Sequence, residues 1–183
     1  MRIILLAFFL ISELLKRLSG VNVNGKFKVN LLTVIRGNGV LSVGSNVTFG
    51  YVNGPGWPFS PIDLLLRNRE SHVEIGNNVS FNNGVRIVTS KSIRIGDNCR
   101  IGQNVCFMDS NGHRVNSLER NISDEPLEII IGENVWIGAN CLILKGSVIG
   151  DNSIVSANSV VSGVLEANSI YRGNFAVKIK DIE

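Results

Sequence analysis

Large aliphatic residues return every six positions through the C-terminal third of the chain, at Ile131, Ile137, Ile143, Ile149, Val155 and Val161. A period of six fits neither the 3.6 of an α-helix nor the 2 of a half-buried strand. Each unit carries one large aliphatic, then Gly or another small residue, and four places after the aliphatic a small or branched side chain: Val135, Cys141, Ser147, Ser153 and Ser159. Such a unit is one short strand plus one turn. Three units close a triangular coil of 18 residues, which stacks Ile131 on Ile149, Ile137 on Val155 and Ile143 on Val161. Each stacked pair is expected about one strand spacing apart, ~4.8 Å.

The same opening recurs upstream: Val43-Gly-Ser-Asn-Val47, Ile75-Gly-Asn-Asn-Val79, Ile95-Gly-Asp-Asn-Cys99, Ile131-Gly-Glu-Asn-Val135 and Ile149-Gly-Asp-Asn-Ser153. Gly44, Gly76, Gly96, Gly132 and Gly150, each with an Asn two places later, are expected at corners that need positive φ. Val43 to Ile75 spans 32 residues and Ile75 to Ile95 spans 20, so the surplus must leave the prism as loops. The expected organisation is a helix over residues 1–20, then a β-helix over 21–183 with loops near 54–70 and 108–128 and a tail over 171–183.

The first segment breaks the pattern. Ile3 to Ile11 is apolar, and Glu13, Lys16 and Arg17 follow. The run falls short of the roughly 20 residues that span a bilayer, and Leu14-Leu-Lys-Arg-Leu18 is no signal-peptidase site. Two readings stand: a helix covering the open end of the coil, or one lying on a membrane surface with its cations toward the headgroups.

Composition narrows the class. With 183 residues, 44% of them hydrophobic, the chain is expected to form one domain. A net charge of only +3, dispersed along the chain, argues against nucleic-acid binding. Cys99 and Cys141 fall at inward fourth places and Cys106 beside a corner; three cysteines without metal-ligand spacing read as reduced thiols of a cytoplasmic protein. Two histidines are too few for a three-histidine zinc centre, so no metal is expected.

The six-residue count breaks between Phe107 and Ile131, and long polar excursions from a regular solenoid are where function concentrates. His113 stands in this one and is the candidate general base, able to take a proton from an attacking alcohol or amine. A second excursion, Gly54 to Glu70, carries Trp57, Phe59 and three of the four prolines. It either walls an acceptor site or packs on the prism or on another subunit. Trp57, together with Asn82 and Asn83 on the following coil, supplies side chains that suit a sugar, although Asn is also what corners prefer.

Taken together, Ser110-Asn-Gly-His113, Ile131-Gly-Glu-Asn-Val-Trp-Ile-Gly138, Lys145-Gly-Ser-Val-Ile-Gly-Asp-Asn152 and Ala157-Asn-Ser-Val-Val161 resemble the hexapeptide-repeat acyltransferases. That family includes maltose, galactoside and nodulation-type acetyltransferases and many polysaccharide O-acetyltransferases, and the order of motifs is similar to its cell-surface polysaccharide branch. The resemblance covers roughly Val43 to Lys180. It implies an all-β fold, a left-handed parallel β-helix, in a homotrimer with acetyl-CoA lying along the coils between subunits. It also implies His113 as catalytic base, Trp136 lining the acceptor end of the channel, Ala139 where a backbone N–H polarises the thioester carbonyl, and Ala157 where the pantetheine arm passes. Arg172, Lys178 and Lys180 are the implied contacts to the coenzyme's phosphates, the alternative being a solvated basic tail.

Two departures stand out. Asn111 replaces the Asp usual two places before the His, leaving Asp109 as the carboxylate expected to support it, and Phe175 replaces a Pro in Tyr171-Arg-Gly-Asn-Phe-Ala176. The expected reaction is direct acetyl transfer to a sugar hydroxyl of a cell-surface polysaccharide, in the cytoplasm or at the inner face of the membrane. The alternatives are N-acylation of a nucleotide-linked amino sugar and a non-catalytic binding solenoid.

Overall fold

In the computed structural model, which describes residues 2–182, the chain winds as a three-sided β-helix whose strands stack into sheets of seven, eight and six strands. All pairings are parallel except the last, where Val177–Asp181 folds back antiparallel onto Ser169–Arg172. The five recurrent openings share one register on the first face: Val43 pairs with Ile75, Ile75 with Ile95, Ile95 with Ile131 and Ile131 with Ile149. Ile137 pairs with Val155 on the second face and Ile143 with Val161 on the third, as the period requires. These aliphatics fill the prism axis almost without solvent contact. Upstream, where the bore holds larger side chains, Phe49 stacks on Phe81 at 4.8 Å and meets Phe27 edge-on at 5.0 Å.

The corners divide their labour differently from expectation. The positive φ sits on the asparagines, Asn46, Asn78, Asn98, Asn134 and Asn152, and not on the glycines two places before them. Asn accepts this conformation more readily than other side-chain-bearing residues. The glycines answer a different need: the corner of one coil lies directly on the next. A Cβ on Gly96 would stand 2.6 Å from the Gly132 carbonyl oxygen, and one on Gly138 would stand 2.5 Å from the Ala157 nitrogen.

The excursions are shorter than expected. Ile62–Leu66 is a third-face strand with Ile62, Leu64 and Leu66 fully buried, so the first loop ends at Pro61 instead of running through residue 70. Only Asp63 breaks the aliphatic run at a half-buried position, Leu65 filling the other, so the alternation that marks a strand is hidden. Met108 closes another third-face strand, Cys106–Met108, and Asp109 is buried in the corner after it, so the second loop starts at Ser110. The solenoid also begins earlier than Val43, with Asn22–Asn24 paired to Val40–Val43 and Phe27–Val29 to Val47–Phe49.

Arg2–Leu18 forms an α-helix packed on the first coil. Buried Ser12 accepts the Thr33 N–H at 3.0 Å, satisfying an edge-strand donor, and Phe8 packs against the core. Lys16 lies over the Phe27 ring and pairs with Glu13 at 2.7 Å. The helix thus covers the open end of the coil, while Ile3, Leu6, Leu10, Leu14 and Leu18 face away from it, exposed. Among the described residues no helix is long and apolar enough to cross a membrane.

Candidate active site

A groove of 590 Å³ runs along the second face and the corner that follows it, and its wall gathers Asn82, Trp136, Ala139 and Ala157 with Pro55 and Gln103. Register explains the gathering. Trp136 projects outward from a two-residue strand, above Ile154, which in turn pairs with Ile170. Ala139 and Ala157 occupy equivalent corner positions on successive coils, so the groove floor there is nearly bare backbone. The Ala139 N–H has no hydrogen-bond partner among the described residues, whereas its neighbours Gly138 and Asn140 donate to Val155 and Gln103 at 2.7 Å each. An unpaired N–H facing a groove is a donor available for developing negative charge.

His113 is exposed on the loop 110–128, which leaves the prism between the third and first faces. The loop is internally tied. Arg114 N–H donates to the Ile122 carbonyl at 3.1 Å, and the Arg114 guanidinium pairs with Glu119 at 3.0 Å. Its returning arm is anchored where Lys145, in the corner of the next coil, pairs with Asp124. Hydrogen bonding from Lys145 holds the Asp124 carboxyl below its ordinary range. His113 Nδ1 lies 2.7 Å from the Arg120 carbonyl oxygen. A carbonyl only accepts, so Nδ1 donates, and in the neutral ring this puts the lone pair on Nε2, as a general base requires. This orienting contact has no sequence signature, because any residue at position 120 supplies a carbonyl.

Asp109 does not support His113. Its carboxylate is fully buried and accepts the Thr89 hydroxyl at 2.6 Å and the N–H groups of Ser90, Lys91 and Ser92 at 2.8, 2.7 and 3.1 Å. Most of those donors converge on Oδ2, with Ser90 also reaching Oδ1, and they make Asp109 the lock of a corner. Asn111 is exposed on the same loop as His113.

The expected acceptor contacts separate. Asn82 lies in the groove with its Oδ1 accepting the Asn83 N–H at 2.7 Å, which leaves its NH2 to donate. Asn83 is buried and spent on the loop: it accepts the Tyr51 N–H at 2.8 Å and donates to the Tyr51 and Pro55 carbonyls at 3.2 and 3.0 Å. Trp57 packs partly buried against the core with Nε1 donating to the Asn30 carbonyl at 3.2 Å, while Pro55 of the same loop lines the groove, so the loop both packs on the prism and contributes to the wall.

Arg172, Lys178 and Lys180 sit on the C-terminal hairpin, outside the groove wall. Lys178 pairs with Asp181 at 2.7 Å and Glu166 at 3.5 Å, and hydrogen bonding to Asp181 raises its pKa. The Asn174–Phe175 peptide bond is cis.

The thiols carry no nucleophile. Burial pushes Cys99 up to about 11 and raises Cys106 and Cys141 as well, which keeps all three protonated near neutrality.

Comparison with known proteins fits this arrangement. The family described as bacterial transferase hexapeptide (six repeats) matches residues 128–163, and that described as hexapeptide repeat of succinyl-transferase matches 92–110. Galactoside O-acetyltransferase of Escherichia coli strain K12 is 38% identical over 81 residues, 44% of this chain and 39% of that protein. Polysialic acid O-acetyltransferase of Escherichia coli O1:K1 / APEC is 31% identical over 84 residues, 45% of this chain. The match spans only 27% of that second relative, so in both cases well under half of the relative's length is represented. A solved galactoside acetyltransferase in complex with coenzyme A superimposes with a TM-score of 0.63 at 32% identity, over 77% of this chain and 64% of that one.

Proposed function

Because the chain belongs to the hexapeptide-repeat acetyltransferase family and adopts its left-handed parallel β-helix, we propose that it is an acetyl-CoA-dependent O-acetyltransferase acting on a sugar hydroxyl of a cell-surface polysaccharide or its precursor. The observation that carries this reading is the His113 Nδ1 contact with the Arg120 carbonyl, which leaves Nε2 free as a base. Nε2 takes the hydroxyl proton as the sugar oxygen attacks the thioester carbonyl carbon. The Ala139 N–H stabilises the oxyanion, the C–S bond breaks, and the departing thiolate recovers the proton from His113. Bare backbone at Ala139 and Ala157 admits the pantetheine arm, and Trp136 stands where the acyl group meets the acceptor. Two relatives named as O-acetyltransferases favour oxygen over nitrogen as the acceptor atom.

The test is release of free thiol from acetyl-CoA with a panel of sugars and glycans. His113→Ala is expected to lower acceptor-dependent turnover by about 100-fold or more; turnover unaffected by the substitution overturns the assignment.

The His113 loop leaves one edge of the prism while the groove follows another, which supports a homotrimer in which one copy's loop closes its neighbour's groove. Val115 and Leu118 on that loop are 84% and 93% exposed, as expected of apolar side chains that a second copy covers. Mixing His113→Ala subunits with subunits whose groove is blocked by Ala157→Trp restores activity if the site is shared and leaves both inactive if it is not.

The exposed stripe of the N-terminal helix is assigned to an anionic membrane surface. The first 30 residues hold five Lys and Arg against one Glu, a net +4, so the remainder of the +3 chain carries −1. A cationic end bearing an aliphatic stripe fits headgroups and acyl chains. Sedimentation with phosphatidylglycerol vesicles but not with phosphatidylcholine vesicles, lost in Leu6→Asp/Leu10→Asp, is the expected result. A fall in oligomer mass in that variant, without vesicle binding by the native chain, contradicts it.

A further inference from the structure

The outward side chains of the second face form one column, in the order Thr48, Ser80, Arg100, Trp136, Ile154 and Ile170. Successive members are one strand spacing apart, ~4.8 Å. Trp136 divides the column by polarity. Ile154 and Ile170 on one side belong to the groove assigned above to the acyl donor, and everything on the other side is polar. There a second hollow, of 230 Å³, is lined by Tyr51, Ser80, Asn82, Arg100 and Trp136, and it joins the first groove through Asn82, Gly102 and Trp136.

The chemistry of this hollow is one-sided. Arg100 supplies a guanidinium and Asn82 an amide NH2, since its Oδ1 is already engaged by the Asn83 N–H. Tyr51 and Ser80 supply hydroxyls that can donate or accept, and no carboxylate lines the wall. Arg36 and Arg94 are paired with Asp63 at 2.8 Å and Glu128 at 3.0 Å; Arg100, like Arg67, Arg69, Arg86, Arg120 and Arg172, has no counter-ion among the described residues, and it alone of these lines the hollow. An unpaired fork-shaped cation with neutral donors around it and no carboxylate opposite suits an oxyanion better than a neutral polyol.

We infer that Arg100, with Asn82, Ser80 and Tyr51, forms a subsite for an oxyanionic group on the acceptor, a sugar carboxylate or a phosphate, one strand spacing from Trp136. This rests on the proposed transferase reading, because that reading makes the neighbouring groove the donor's. The guanidinium fixes the acceptor ring by bidentate contact, and the hydroxyl to be acylated is then held near Trp136. Arg100 is a specificity-determining residue and takes no part in proton transfer.

The test uses saturation-transfer NMR on the CoA-loaded protein with glucuronate, its methyl ester, methyl glucoside, glucose 6-phosphate and a thymidine diphosphate. CoA affinity is measured in parallel by calorimetry. Glucuronate or the phosphate compounds are expected to give transfer that the ester and the neutral glucoside do not, and the two anion types identify which source the subsite serves. Arg100→Gln is expected to weaken that binding about tenfold or more, and Arg100→Lys to restore part of it, with CoA affinity unchanged. Equal binding of acid and ester, anion binding that survives Arg100→Gln, or binding of neither anion by a CoA-competent protein overturns the subsite. Lowered CoA affinity in Arg100→Gln also overturns it by giving the guanidinium to the donor. Failure of the native protein to bind CoA would instead overturn the transferase reading.

Discussion

The corner after Ile131 and the corner after Ile137 belong to the same coil and share a backbone. Each has a glycine that lets the next coil approach, Gly132 or Gly138, and an asparagine at positive φ, Asn134 at 53° or Asn140 at 58°. They differ at the residue between. In the first corner the Glu133 N–H is capped by Asp151 Oδ1 of the next coil at 2.8 Å. In the second the equivalent capping position is Ala157, and the Ala139 N–H is left without a partner among the described residues. The first corner is closed scaffold; the second opens into a groove. One side chain per coil decides whether a repeat holds the fold together or leaves a donor for chemistry, at little cost to the prism because the stacked aliphatics are the same.

The most disruptive way to break the contrast is to close the open corner. Ala157→Asp places a carboxylate where Asp151 stands one corner earlier, which occupies the Ala139 N–H and fills the pantetheine path. Turnover is expected to fall about 100-fold or more, in the range seen when an oxyanion donor is lost, while thermal unfolding stays at or above the native temperature. A steady-state thiol-release assay beside a thermal melt reads both.

A smaller effect tests what the corners share. Gly96→Ala at a first-face corner and Gly138→Ala at the open one each push a Cβ into the backbone of the next coil, and both are expected to cost about 2 kcal/mol in denaturant unfolding. Equal losses at the two corners make close approach a property of the prism; a loss at only one would tie it to the site.

The smallest effect is electrostatic. In another closed corner Asp97 caps the Asn77 N–H at 2.7 Å, and that hydrogen bond holds its carboxyl below the ordinary range. A pKa lowered by folding contributes stability that is present above the unfolded value, about 3.9, and is lost as pH falls through the lower folded value. Melting temperature is therefore expected to decline below about pH 4, with a shallower decline in Asp97→Asn.

Much of this was legible in the chain and some was not, for reasons that differ by residue. The period of six placed the core aliphatics and their register because burial selects side chains by position. It did not reveal the first coil, where Val23, Val29, Ile35 and Leu41 return every six places but without the Gly-x-Asn corner that marks the later coils, nor the strand Ile62–Leu66 inside a proline-rich run. The gathering of Trp136, Ala139 and Ala157 follows from register once coils stack, but their roles rest on resemblance, since alanine announces nothing by itself. Asp109 and Asn83 misled because a buried polar side chain that locks a corner has the same letter as one that serves a ligand. The contact that orients His113 is a main-chain carbonyl, which no side chain encodes.

The most direct test of the open corner is calorimetric titration of acetyl-CoA into the native chain, Asp151→Ala and Ala157→Asp. The native chain and Asp151→Ala are expected to bind alike, the latter melting lower by no more than about 3 °C, and Ala157→Asp is expected not to bind. Native-like affinity in Ala157→Asp would contradict the assignment of that corner to the coenzyme, and with it the account of how this solenoid acquires an active site.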